Sequence, residues 1–453
     1  MPDYSLMIEK GLFAAFAAMI FCAAFLPKRK GAAFCDGLTG VSLALAGLLF
    51  YERAYDRFVL CLMTLASFAV YLCARDWLKY KKFVEPEFFI LYLASAAGMV
   101  SAVRADDFVV LFLSLELAQA GLIFLTGYKR YGMRSTRAAV QYNASAIVGT
   151  AVFLTGVVFL YAAAGQTEYR ALAAVLAGQS LNGIAAAGVL FTMAGLMIKA
   201  GIAPFHWWFA DVTEGAPTPV SAFICVVWRL CLLCVLAKIC EFAFKEAAFD
   251  GRAFLSVCGV LTVAAGSVSA CLQTNVKRLA AFTVMTGSGF ALSAIASGAY
   301  PSLLFLMIVE TVLYAGLFAV VHCLRTGDEL SEEIASLKGK GRNSLLRGAL
   351  YAMIFVGLTG LPPFAGFWGR YFLYRANVID GRSASVVISL AFSTLLAYAY
   401  LKIVRLLYAD VSGDDFDFTP PSLRPIIIIA AVWGVFLMVW VVRLSAFVQK
   451  TGF

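Results

Sequence analysis

The chain has 453 residues, 62% of them hydrophobic and 14% charged, with a formal net charge of +9. Soluble domains carry roughly a quarter charged residues, so a mean hydropathy of +0.86 excludes an ordinary soluble fold and points to a polytopic membrane protein, counted in spanning helices of roughly 20 residues. The basic excess lies in short clusters between apolar runs, which excludes a nucleic-acid binder and fits loops that orient membrane spans.

Apolar runs predict fourteen helices, at about 6–26, 32–51, 58–74, 87–103, 107–128, 139–164, 182–204, 220–243, 254–272, 279–297, 300–324, 346–374, 384–408 and 426–447. Runs this long exclude barrel strands, and an open sheet does not span lipid, so the expected fold is an all-α polytopic membrane protein. The first run ends in Pro27-Lys28-Arg29-Lys30 and not in a small-residue cleavage site, so it reads as a span. Loops after odd-numbered helices hold KRK (28–30), RDWLKYKK (75–82), YKRYGMRSTR (128–137), NVKR (275–278) and the long segment 324–347. Loops after even-numbered helices hold few Lys or Arg, as in YERAYDR (51–57) and RADD (104–107). The odd loops are therefore expected in the cytoplasm or mitochondrial matrix, and the even helix count puts both termini on the other side.

Helix seven ends in 199-KAGIAPFHWW-208, and helix twelve contains 360-GLPPFAGFWGR-370. The two cores correspond, with Lys199 five residues before Pro204 and Arg370 seven residues after Pro363. Interrupted helices at corresponding positions of two halves point to a transport site. Such breaks are tolerated only against protein or a wet cavity, and here they are expected to open the backbone to water.

An ionisable side chain at mid-membrane costs about 2.5–3.5 kcal/mol, which makes each one a functional candidate. Glu116 lies nine residues into 107-DFVVLFLSLELAQAGLIFLTGY-128, about 14 Å deep. It reads as a proton-relay carboxylate or as the structural partner of a basic residue. Lys199 reads as an amine that loads and releases a proton, or as a side chain that snorkels to the interface. Arg229, ten residues past Pro219, and Arg370 keep their charge; each is a fixed cation that sets a neighbour's proton affinity, or a clamp on a carboxylate or on freed carbonyls. Glu310 pairs with Arg229 or Arg370, and the order of residues leaves both open. His206, beside the Pro204 kink, has a structural and a proton-handling reading. Lys277, at the mouth of helix ten, reads as a solvated loop charge. The two histidines, and eleven cysteines scattered mostly through apolar runs, predict no metal site. The Cys231-x-x-Cys234 pair reads as packing. No phosphate loop, dinucleotide fingerprint or nucleophile elbow stands in the chain.

At these residues the chain resembles the antiporter-like membrane subunits of respiratory complex I, most closely the subunit N group. The resemblance covers roughly residues 80 to 410 and rests on 111-LFLSLEL-117, 199-KAGIAPFHWWFADVTEGAPTPVSAF-223, 275-NVKRLAAFTVMTGSGF-290 and 361-LPPFAGFWGRYFLY-374. It implies two inverted five-helix repeats with helices seven and twelve broken. The implied organisation is a three-helix segment (1–86), a first repeat (87–243), a second repeat (254–408), and a C-terminal loop and helix (409–453). The family's glutamate on helix five, its lysines on helices seven and eight, and the basic residue past the break of helix twelve fall on Glu116, Lys199, Arg229 and Arg370. The last two are arginine where the family pattern has lysine, and Gly287 and Gln141 stand where it often has histidine and lysine. The resemblance therefore implies either water chains ordered by fixed guanidinium charges in the second half, or weakened pumping with assembly retained.

The implied function is proton translocation as a membrane-arm subunit of NADH:quinone oxidoreductase. In that reading the chain holds no cofactor, and NADH, FMN, iron–sulfur clusters and quinone are bound by other subunits. The implied partners are the other membrane-arm subunits, another antiporter-like subunit among them, and the lipid of a bacterial or mitochondrial inner membrane. Two alternatives remain: a subunit of a multi-part cation/proton antiporter or membrane-bound hydrogenase, and a membrane-arm scaffold with weakened pumping. The basic residue after the second break argues against the subunit M group. The end of the sequence at Phe453, without a long lateral helix, argues against the subunit L group.

Overall fold

The structure, a computed structural model, describes residues 4–25, 28–49, 55–81, 85–129, 132–177, 183–245, 251–326, 329–330, 332–410 and 420–450. In lipid a helix pairs its own backbone groups, and the predicted apolar runs fold as helices, with spans 7 and 12 in two pieces. Span 1 is Tyr4–Phe25, span 2 Lys28–Leu49, span 3 Tyr55–Tyr80, span 4 Pro86–Arg104, span 5 Phe108–Thr126 and span 6 Met133–Ala164. Span 7 runs Gly183–Ala200, breaks, and resumes as Phe209–Gly215. Span 8 is Thr218–Phe242, span 9 Gly251–Cys271, span 10 Val276–Ala296 and span 11 Tyr300–Cys323. Span 12 is Leu345–Thr359 and Ala365–Ile379, span 13 Ser383–Leu407 and span 14 Arg424–Lys450. Ten of the described helices are long and apolar enough to cross a membrane on their own.

The departures from expectation lie at the ends of helices and in the loops. Span 2 starts at Lys28, so the first basic cluster forms its opening turn and is not a loop. Span 3 carries its basic stretch out to Tyr80. A nine-residue helix, Tyr169–Ala177, lies between spans 6 and 7. Among the described residues one strand pair departs from the all-α expectation: Arg325–Thr326 pairs antiparallel with Glu329–Leu330 in the long basic loop. Of the loop 51–57, residues 51–54 lie outside the described residues.

The two repeats share more than their breaks. Asp107 caps span 5 by accepting from the Val109 and Val110 N–H groups, and Asn275 caps span 10 through Lys277 and Arg278. At the start of span 5, Phe108 N–H donates to Thr167 O (3.1 Å) and Tyr169 N–H to Asp106 O (2.9 Å). At the start of span 10, Val276 N–H donates to Glu332 O (2.7 Å) and Ile334 N–H to Thr274 O (2.8 Å). The same bracket thus ties each helix start to a later loop. Spans 5 and 10 start after loops of opposite charge character, as an inverted repeat requires.

Spans 8 and 10 are buried along their whole apolar windows and span 11 nearly so, so the core lies where the repeats meet. Before Arg229 the backbone widens into a six-residue π turn, Phe223–Trp228, a feature frequent at functional sites. Spans 6 and 7 touch through glycine. A Cβ on Gly195 would lie 2.5 Å from Phe153 N, and one on Gly156 would strike the Thr192 backbone. Small residues permit this approach of helix backbones. It also holds Thr150 of span 6 against Lys199 of span 7. Gly156→Val should therefore force the two helices apart at about 1–3 kcal/mol, read as a lower thermal-unfolding midpoint of the detergent-purified protein.

Candidate functional site

The site is built from the break in span 7. Gly201 ends the helix in the left-handed region at φ +65°, with Gly201 N–H donating to Ile198 O (3.2 Å) and Ile202 N–H to Met197 O (3.1 Å). This is the hydrogen-bond pattern of a glycine-stopped helix. Any larger residue would be strained there, and its Cβ would lie 2.7 Å from the Phe209 ring. Trp208 Nε1 donates to the Ile198 carbonyl at 2.9 Å and Trp228 Nε1 to the Lys199 carbonyl at 3.2 Å. The break, read in the sequence as an opening for water, is thus closed by indole donors at these two carbonyls.

Lys199 is the second residue before that stop. Its stem passes Gly149, where a Cβ would lie 3.0 Å from Lys199 Cγ. Its ammonium meets Glu116 Oε1 at 3.0 Å, Thr150 Oγ1 at 2.7 Å and Gln119 Oε1 at 2.5 Å, which uses all three donors. The Thr150 hydroxyl donates to the same Glu116 oxygen at 2.6 Å. The pair is lopsided: the Lys199 side chain is 1% exposed and that of Glu116 40%. Glu116 opens onto a groove of about 480 Å³ between spans 5 and 6, which Asn143, Ile147 and Phe124 also line. The carboxylate therefore faces a buried amine on one side and the outside of this chain on the other.

At the centre, Arg229 donates to Glu310 Oε2 at 2.6 Å and through Nε to Ser288 Oγ at 2.8 Å. Its guanidinium lies 5.1 Å from the centre of the Tyr314 ring. Both members are withdrawn from solvent, at 2% and 6% exposure. Glu310 thus takes Arg229, of the two partners the sequence allowed. Gly287 makes room for the pair: a Cβ there would strike the Tyr314 hydroxyl and lie 2.6 and 2.7 Å from the two Glu310 oxygens.

Arg370 does something different. Its guanidinium donates to the carbonyls of Thr359 (3.1 Å) and Leu358 (3.2 Å), the last residues before the second break. It stacks 4.8 Å from the centre of Phe290, and among the described residues no carboxylate pairs with it. Gly360, at φ +74°, leaves the space that the guanidinium occupies. Of the readings open in the sequence, the contacts are those of a clamp on freed carbonyls.

Lys277 corrects the sequence reading. It is not a solvated loop charge: its side chain is 1% exposed, and Nζ reaches Glu214 O (2.7 Å), Ala216 O (2.6 Å) and Glu332 Oε1 (3.2 Å). The loop bracket over span 10 buries it, and there it holds the carbonyl end of Phe209–Gly215, where a cation is favoured. Lys238, which the sequence reading passed over, is also buried and does the same for span 4. Its Nζ lies 3.2 Å from the carbonyls of Val103 and Arg104 and 2.8 Å from Asp106 Oδ1. The signal was a lysine near the end of span 8, on the membrane side where RADD closes span 4. His206 is half-buried, with Nδ1 buried and without a partner. Gln141 donates to Asp211 Oδ2 at 3.2 Å, within a network that Arg278 joins to Asp211 and Glu214.

Two inverted repeats, a broken helix in each, and a buried amine–carboxylate pair beside the first break define an antiporter-like polytopic membrane protein. Residues 105–397 match the family described as NADH:quinone oxidoreductase/Mrp antiporter, TM, and the chain belongs to that family. It is 31% identical over 400 residues to NADH-quinone oxidoreductase subunit N of Rhodospirillum rubrum, covering 86% of this chain and 82% of that protein. Its fold is similar to that of a chain of respiratory complex I from Thermus thermophilus with bound aureothin (TM-score 0.82, 24% identity, 96% of this chain and 97% of that one). A chain of the Mrp complex from Dietzia sp. DQ12-45-1b has the same likeness in fold (TM-score 0.82, 16% identity, 100% of this chain and 97% of that one).

Replacing Lys277 by Met removes the ammonium from the Glu214 and Ala216 carbonyls and from Glu332. Each lost charge-assisted bond is worth about 1.5–3 kcal/mol. Lys277→Met should therefore lower the unfolding midpoint in detergent and speed proteolytic cleavage in the turn after the helix Phe209–Gly215.

Proposed function

We propose that this chain is a proton-translocating membrane-arm subunit of NADH:quinone oxidoreductase, of the subunit N type. One observation carries the reading: a fully buried ammonium, Lys199, spends all its donors beside a helix break, with its counter-charge Glu116 half exposed on a groove. Lys277 and Lys238 also pair with partly exposed carboxylates, but they hold backbone carbonyls, whereas Lys199 meets side chains alone. That arrangement suits a group that exchanges a proton, because whatever changes the contact or hydration of Glu116 changes how firmly Lys199 holds its proton. Lys199 and Glu116 are then the bistable element, and coupling acts by shifting its two states. Moving one charge against the membrane potential takes about 2.3 kcal/mol per 100 mV, which quinone reduction in partner subunits supplies.

The remaining assignments follow from the same reading. The basic loops face the cytoplasm or matrix and both termini face the opposite side. NADH, flavin, iron–sulfur and quinone chemistry belongs to the partner subunits. The groove beside Glu116 faces a neighbouring subunit, since a half-exposed carboxylate with Asn143 is costly against lipid. Residues 87–243 and 254–408 act as two linked half-units, with Arg229 and Arg370 as fixed charges in the path. A second reading, assembly with weakened pumping, draws on the departures at Gln141 and Gly287 and on Arg370, whose two hydrogen bonds both go to backbone.

In NADH-energised membrane vesicles, Glu116→Gln should leave the complex assembled and lower coupled proton pumping by about 100-fold, the usual scale for losing a proton-transfer group. Unchanged pumping per electron rules the pair out as the gate, and sodium- or potassium-driven proton exchange without NADH favours the antiporter reading. Arg370→Ala separates the second reading: a clamp predicts less assembled complex, whereas a charge-tuning role alone predicts normal assembly with pumping lost.

A further inference from the structure

The second half of the molecule holds few groups that exchange protons. Among the described residues of spans 9 to 13, the buried charged or imidazole side chains are Lys277, Glu310, His322 and Arg370. Lys277 stands at the first turn of span 10 and holds loop carbonyls. His322 stands at the last turn of span 11, paired with Asp76 at 3.2 Å. Both lie at the end of the membrane that carries the basic loops. Arg370 keeps its proton. Glu310 alone sits deep, eleven residues into the 24-residue span 11.

The geometry around Glu310 is that of an exchangeable group beside a fixed charge. Arg229 binds one carboxylate oxygen, Oε2, at 2.6 Å, and its Nε is tied to Ser288, so the guanidinium is anchored whether or not the carboxylate is ionised. The space at Gly287 is taken by the Glu310 oxygens and the Tyr314 hydroxyl, and no side chain fits there without displacing them. The histidine expected at 287 from the family resemblance and this placement of Glu310 therefore exclude one another.

We infer that Glu310 is the proton-exchanging residue of the second half, working in the space left by the absent side chain at Gly287, with Arg229 as its fixed counter-charge. The inference rests on the translocation reading above and adds a residue to it. In the step, the Glu310 carboxylate takes one proton from a water chain on one side and becomes a neutral carboxylic acid. It then returns one proton to water on the other side, and Arg229 stays a cation throughout. Gly287 is a positioning residue: it touches no proton and fixes where the carboxylate sits.

The test uses the whole complex in inverted membrane vesicles, with Glu310→Gln, the double variant Arg229→Gln/Glu310→Gln, and Glu116→Gln in parallel. Glu310→Gln strands a buried cation and lowers assembly, whereas the double variant removes both charges and spares it. The expected result is an assembled double variant whose coupled pumping falls at least about tenfold. In addition, a protonated-carboxyl band should arise during turnover in infrared difference spectra of the wild type and be missing from the double variant. A double variant that pumps at the wild-type rate while Glu116→Gln does not overturns the inference and leaves a structural ion pair. Absence of the carboxyl band from the wild type also overturns it. Normal pumping in all three variants overturns the translocation reading together with it.

Discussion

Lipid supplies no hydrogen bonds, so every backbone group freed where a span breaks must be met from inside the protein. This constraint places most of the side chains that matter here. At the first break the indoles of Trp208 and Trp228 take the carbonyls of Ile198 and Lys199. At the second, Arg370 takes those of Leu358 and Thr359. Lys277 and Lys238 meet the carbonyl ends of neighbouring helices. Gly201 and Gly360 stop the helices in a backbone conformation that larger residues resist. At these four carbonyls the breaks are closed from inside the protein.

The same constraint makes the two halves unequal. In the first, a titratable pair stands between the protein interior and an open groove. In the second, the central pair is buried, at 2% and 6% exposure, and the cation past the break is spent on backbone. The arrangement is an inverted repeat in backbone and an asymmetric one in chemistry. Two guanidinium groups supply fixed charge where an amine would have been free to change state.

Much of this was legible in the amino-acid order, for physical reasons that also mark its limits. Long apolar runs have one solution in lipid, so the spans were readable. Proline and glycine inside such runs named both breaks. The exposure of Glu116 was not readable, because span 5 is apolar on every side and its sequence carries no stripe to say which face turns outward. The choice of Glu310 between two arginines goes with the missing side chain at Gly287, whose place the Glu310 oxygens take, and that is not a local pattern. Lys277 was misread because a lysine at a helix mouth is commonly solvated; here a loop some fifty residues later, Glu332–Ile334, folds over it. The bracket at the starts of spans 5 and 10 joins backbone groups, so side-chain similarity did not reveal it.

The account turns on Lys199 and Glu116 acting as one unit. The most direct measurement is a double-mutant cycle on proton pumping per electron, with Glu116→Gln, Lys199→Met and both together in otherwise intact complex. If the pair is a single proton-exchanging element, each single change removes most of the pumping and the double removes little more, so the effects are strongly non-additive. Additive losses, or a double variant that regains wild-type pumping, would contradict it and reduce the pair to a structural contact.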